Sequence, residues 1–162
     1  MLRVVMLDFD GVLHDDQVYW HPKRGIYVGT PGRALFEWMP VLEDLLAPYP
    51  DVKIVLSTSW VRVKSFDFAK KQLSRSLQNR VIGATFHRRH MRKDEFAALP
   101  RGVQIARDIA RRKPQEWFAI DDEHEGWPEQ FLYNYIRTDP AKGISEKSVQ
   151  SAIRERLETR FR

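Results

Sequence analysis

Cysteine is absent from all 162 residues. That excludes a disulfide scaffold, a thiolate metal centre and a cysteine nucleophile, and it fits a reducing, cytoplasmic setting. Long apolar runs are absent too. No stretch approaches the roughly 18 residues that a membrane span needs, so no membrane partner is expected. Met1-Leu2-Arg3 passes into a strand pattern within a few residues, without the apolar core of a secretory signal. There is no internal repeat, no low-complexity tract and no domain linker. A single domain over residues 1–162 is the expectation, and that length can bury a core without covalent staples.

What is present is globular: 43% hydrophobic and 30% charged residues, with a net charge of +5. A basic chain favours anionic partners, such as phosphate esters or nucleic acid.

Short apolar runs alternate with helical patterns. The strand candidates are Leu2–Leu7, Val52–Leu56, Arg80–Ala84, Trp117–Ile120 and Leu132–Ile136. Apolar runs of this kind, separated by helices, predict a parallel sheet covered on both faces. The fold class is therefore α/β, a three-layer Rossmann-like sheet.

Thr30-Pro31 reads as a cap followed by a first helical residue, with an apolar series at Leu35, Phe36, Met39, Leu42, Leu45 and Leu46. Pro40 interrupts that series and predicts a kink or two short helices. Phe66, Ala69, Leu73 and Leu77 form a second stripe, and Val103, Ala106, Ile109 and Ala110 a third. Ser145 is placed to cap a last helix whose buried face is Val149, Ala152, Ile153 and Leu157.

Two segments break the alternation. Residues 14–29 hold Tyr19, Trp20 and Tyr27 with no helical period, and predict a β-hairpin flap. Residues 86–100 contain Phe86-His87-Arg88-Arg89-His90-Met91-Arg92-Lys93 and read as a basic loop. His87 and His90 are spaced by three, but no cysteine joins them, so they read as part of that loop rather than as a zinc site. His124 reads as a residue of the site rim.

In an open α/β sheet, ligands bind beyond the carboxyl ends of the strands. The first strand runs into Asp8-Phe9-Asp10-Gly11, the second into Ser57-Thr58-Ser59 and the fourth into Asp121-Asp122-Glu123. Each alone has a plain reading: Asp-Gly is common in turns, and hydroxyls after a strand often cap the next helix. Together they bring acids and hydroxyls from three segments to one sheet edge. Asp8 and an acid from Asp121-Asp122 are hard oxygen ligands suited to Mg²⁺. A carboxylate nucleophile can form an acyl-phosphate. Ser57 or Thr58 can hydrogen-bond phosphoryl oxygens, and a cation is needed to hold the charge. Arg101, ahead of the third helical stripe, is the best-placed cation.

These residues resemble the haloacid dehalogenase (HAD) superfamily. Asp8-Phe9-Asp10-Gly11-Val12-Leu13 resembles its first motif and Leu56-Ser57, or Thr58, its second. Arg101 stands where the family carries Lys or Arg, and Ile120-Asp121-Asp122 resembles the fourth motif. The resemblance spans essentially the whole chain and implies an HAD-like phosphatase. It implies Asp8 as nucleophile and metal ligand, and Asp10 as general acid then base, with its backbone carbonyl on the metal. Ser57 or Thr58, together with Arg101, would bind phosphate, and Asp121 and Asp122 would complete a Mg²⁺ site. Aspartate at position 10 resembles the phosphatase branch, since transporting ATPases carry Thr there and dehalogenases lack the second acid. The third motif departs from the usual Lys: Lys93 lies further upstream and Lys113 after the helix.

The flap and the short 86–100 segment leave no room for a large cap, which implies an open site. The substrate is then an accessible phosphate, such as a nucleic-acid end or a nucleotide, with a small phosphorylated metabolite as the alternative. Tyr19, Trp20 and Tyr27 either stack on a base or pack the flap onto the body, and the basic loop either contacts a phosphate backbone or is solvated. Ile54–Trp60, Val81–Thr85 and Asp139-Pro140-Ala141-Lys142-Gly143-Ile144 resemble a small bacterial and phage branch linked by context to RNA-end repair. A phosphotransferase, a phosphonatase and a non-catalytic phosphate- or nucleic-acid-binding module are the competing classes. A phosphonatase usually needs a Lys from a cap. A non-catalytic module would be free to lose the acids that this chain retains.

Overall fold

A computed structural model describes residues 1–162. β1 (Arg3–Leu7) is the centre of a five-stranded parallel sheet, flanked by β4 (Lys53–Leu56) and β6 (Glu116–Asp121). β5 (Val81–Ala84) pairs with β4 and β7 (Tyr135–Arg137) with β6, giving the order β5-β4-β1-β6-β7. The sequence enters the sheet at its centre, builds one side, then returns to build the other. That reversal at β1 is the topological switch point where α/β folds place ligands.

The continuous apolar run of β1 follows from burial on both faces. Val4, Met6, Trp117 and Ala119 point into one core with Ile105; Val5, Leu7, Ile54, Leu56, Phe118 and Ile120 point into the other. α6 (Arg101–Arg112) covers the smaller core. The larger one lies beneath α1 (Met39–Leu46) and α7 (Lys147–Arg160), beside α2 (Ser59–Val63), α3 (Phe66–Lys71) and α4 (Arg75–Gln78). No helix is long and apolar enough to cross a membrane.

The flap is a two-stranded antiparallel hairpin, β2 (Val18–His21) and β3 (Gly25–Val28). Several local expectations change. Thr30-Pro31 starts no helix. Phe36 takes a left-handed φ of 57°, which breaks helical continuity, and α1 begins only at Met39. Pro40 then sits in the first turn, where its missing N–H costs nothing; it starts the helix and does not kink it. The Phe66–Leu77 stripe is split between α3 and α4. In α6 the buried face is Gly102, Gln104, Ile105 and Asp108, while Ala110 is exposed. Gly102 lets the start of the helix lie against the Gly126–Trp127 backbone, where a Cβ would clash.

Ser145 does not cap α7, since its hydroxyl donates to the Lys142 carbonyl. The fifth strand is shorter than Leu132–Ile136, because a 3₁₀ turn over Glu129–Asn134 occupies its first half. Residues 86–100 are not all loop: α5 (Lys93–Ala97) forms there and buries Phe96 against Phe86.

Candidate active site

Register places three polar residues side by side. Leu7 lies between Leu56 and Ile120 in adjacent strands, so the next residues, Ser57, Asp8 and Asp121, emerge together at the sheet edge. The Ser57 N–H donates to the Leu7 carbonyl at 2.8 Å, and the Asp8 N–H to the Ile120 carbonyl at 3.4 Å. All three side chains are buried.

Asp8, Asp121 and Asp122 can each offer an oxygen within 4.8 Å of the others. Burial leads in pushing all three carboxyls above the usual range, and neighbouring carboxylates add to it. The Asp122 carboxyl is pushed up to about 8, first by burial and then by the charge of Asp8 and a hydrogen bond with it. Burial is the largest influence on Asp8 and Asp121 also, and the Arg101 charge does not reverse it. Three hard oxygens in one small volume fit a divalent cation such as Mg²⁺, which would offset that repulsion. The Asp10 side chain stands outside this trio.

Arg101 begins α6. Its Nη1 lies 2.7 Å from Asp121 and 3.3 Å from Asp8, and its Nη2 lies 2.5 Å from Glu123. Burial alone would lower its pKa, but the three carboxylates more than reverse that, and the guanidinium is held firmly charged. Its Nε is buried without a partner. Lys113 stands at the opposite end of α6, about 18 Å along a 12-residue helix, too far to share the site.

The two hydroxyls of the second strand end differ. Thr58 caps α2, its Oγ1 accepting from the Trp60 N–H at 3.2 Å. Ser57 Oγ is buried and makes no hydrogen bond within the protein.

Asp10 is the accessible acid, its side chain 30% exposed. Its Oδ1 receives the Trp60 indole N–H at 2.9 Å and lies 2.8 Å from His14 Nε2. His14 Nδ1 accepts the Phe36 N–H at 3.1 Å, so the lone pair is on Nδ1 and the proton on Nε2, facing Asp10. The left-handed Phe36 aims that N–H, an instance of backbone strain spent at a site. Phe9, Phe36 and Trp60 pack edge to face around the imidazole. Composition and spacing did not single out His14 or Trp60, because their partners are remote in sequence or outside regular structure.

Gly11, at φ 77°, makes the turn after Asp10, and a Cβ there would lie 2.4 Å from an Asp122 oxygen. The turn is braced from the far end of the chain: Thr138 Oγ1 donates to the Gly11 carbonyl at 2.7 Å and the Ile144 N–H to the Val12 carbonyl at 3.0 Å. This gives the Asp139–Ile144 segment a physical role.

Asp8, Asp10, Arg101 and Asp122 line an open cavity of about 810 Å³, joined by Arg62, His124 and Arg137 on its rim. Arg137 and His124 are within 3.3 Å of each other. The basic segment contributes differently. Asp108 is buried and holds Arg111 and Arg112, with His87 Nε2 3.9 Å away.

Comparison with known proteins places one family on this chain. Residues 4–149 match the model described as HAD domain in Swiss Army Knife RNA repair proteins. No curated protein and no solved structure matches.

Proposed function

The chain belongs to the HAD domains of Swiss Army Knife RNA repair proteins, and from that premise we propose that it is a Mg²⁺-dependent phosphomonoesterase acting on phosphorylated RNA ends. The observation that carries the reading is the pairing of two acids at the end of β1 with opposite surroundings. Asp8 is buried against Arg101, whereas Asp10 is accessible and held by His14 and Trp60.

A divalent cation held by Asp8, Asp121 and Asp122 would supply charge neutralisation at the phosphoryl group. Asp8 attacks phosphorus through a carboxylate oxygen, and the ester oxygen leaves with a proton from Asp10. Asp10 then takes a proton from the water that hydrolyses the aspartyl-phosphate, returning Asp8 to the carboxylate. Ser57 Oγ and the Arg101 guanidinium serve the phosphoryl oxygens. Thr58 serves as a cap. The open cavity and its rim arginines suit a macromolecular end better than a small metabolite, since no cap closes over it.

The test is a panel of 3′- and 5′-phosphorylated oligoribonucleotides, nucleoside monophosphates and sugar phosphates, with Asp8→Asn and EDTA as controls. RNA ends are expected to be the best substrates, with an advantage that shrinks as salt rises. Equal rates across the panel would overturn the RNA reading. Hydrolysis by Asp8→Asn, or in EDTA, would overturn the mechanism.

A further inference from the structure

A second groove, of about 360 Å³, opens beside the acidic cavity. Val18, Tyr19, Trp20 and Ile26 of the hairpin form one wall, and Trp60, Val63 and Lys64 the other, while Asp10 and Ser59 line both this groove and the acidic cavity. It therefore meets the catalytic cavity at the acid assigned to the leaving group.

The hairpin register divides the flap aromatics. Tyr19 lies opposite Tyr27, and Trp20 opposite Ile26, so alternation puts the tyrosines on one face and Trp20 on the other. The tyrosines are used: their rings pair at 6.0 Å, and Arg24 lies over Tyr27 at 3.8 Å. Val18 and Ile26 pack the hairpin onto the core. Trp20 does neither, remaining 61% exposed, and Val63 across the groove is 64% exposed. Lys64 Nζ lies 6.0 Å from the Trp20 ring and 5.8 Å from that of Phe68. An uncommitted indole, an apolar opposite wall and a cation at the rim suit a flat, neutral ring carried on an anionic backbone.

We propose that this groove is a nucleobase subsite, in which the base of the terminal nucleotide stacks on Trp20 while its phosphate lies at Asp8. The proposal rests on the phosphatase reading and names what that site selects. Lys64 faces the next phosphodiester. Stacking on a ring face is tolerant of base identity, so the subsite distinguishes nucleotides from other phosphate esters and not one base from another.

Two readouts separate this proposal from the phosphatase reading. The first is equilibrium binding to Asp8→Asn protein of adenosine 3′-monophosphate and adenosine 5′-monophosphate against ribose 5-phosphate, followed by isothermal titration calorimetry. At least one nucleotide is expected to bind about tenfold more tightly than the sugar phosphate. Trp20→Ala should erase that preference, and Trp20→Phe should keep it. The second is hydrolysis of the same compounds by protein with Asp8 intact, where Trp20→Ala should lower kcat/KM for the nucleotides by a similar factor. Equal binding of the nucleotides and ribose 5-phosphate would overturn the subsite whether or not the chain hydrolyses phosphate. So would a larger effect of Trp20→Ala on O-phosphotyrosine than on nucleotides, or a loss of self-association in Trp20→Ala with nucleotide binding unchanged. If no compound is hydrolysed but nucleotides still bind through Trp20, the phosphatase reading fails and the subsite stands.

Discussion

His14 donates its Nε2–H to Oδ1 of Asp10 at 2.8 Å, the same oxygen that takes the indole N–H of Trp60. Two donors on one oxygen leave the other for substrate, and they fix the plane of the carboxyl. His14 is itself fully buried and fixed by the Phe36 N–H. In the proposed reaction it acts through Asp10 and is a positioning residue.

His14→Ala should therefore weaken proton transfer more than binding. A loss of about 10–100-fold in kcat is expected for alkyl phosphates, with KM little changed. With p-nitrophenyl phosphate, whose leaving group needs no proton, the loss should be several-fold smaller. Steady-state kinetics on the two substrates, with a thermal melt of the variant, measures this. Equal losses on both would mean that His14 only supports the fold.

Ser57 and Thr58 should separate cleanly. Thr58→Ala removes a helix cap and should cost about 1 kcal/mol of stability, seen as a lower denaturation midpoint. Ser57→Ala removes a buried hydroxyl that bonds to nothing in the protein, so stability should hold or rise. Its kcat/KM should fall about tenfold through a lost hydrogen bond to an anionic oxygen. The reverse pattern would exchange their roles.

The acidic trio predicts a stability that depends jointly on pH and metal. The Asp122 carboxyl is raised to about 8 in the folded chain, and Asp8 and Asp121 are also raised, burial leading in each case. Between the ordinary carboxylate range, near pH 4, and about pH 8, the folded state then holds more protons than the unfolded state. Stability of the metal-free protein must fall as pH rises through that window. Adding Mg²⁺ should raise Tm more at pH 8 than at pH 5, and Asp8→Asn in EDTA should melt above the parent chain at pH 8. Calorimetry at the two pH values, with and without metal, checks both. A metal-free Tm that rises from pH 5 to pH 8 would contradict the geometry.

The central strands were legible because β1, β4 and β6 are buried on both faces and read as unbroken apolar runs. Asp8, Asp121 and Asp122 were legible as candidates because acids ending separate apolar strands converge at one sheet edge, and Arg101 because the cation such a cluster needs stands just ahead of the third helical stripe. Elements whose limits depend on distant packing were less so. Phe36, an ordinary apolar residue in the sequence, takes a left-handed φ that ends a helical pattern. Glu129–Asn134 coils into a 3₁₀ turn where an extended strand was expected. His14 and Trp60 were not legible as site residues, because the carboxylate they serve lies across a turn or 50 positions away.

The sequence by itself determined the sheet, the order of its strand ends and the acids that end them, since burial periodicity and residue type are local properties. The tertiary structure decided which hydroxyl is free, which oxygen of Asp10 is held, and which flap aromatic is left exposed without an aromatic partner. Those depend on partners that only strand register and close packing bring within hydrogen-bonding distance.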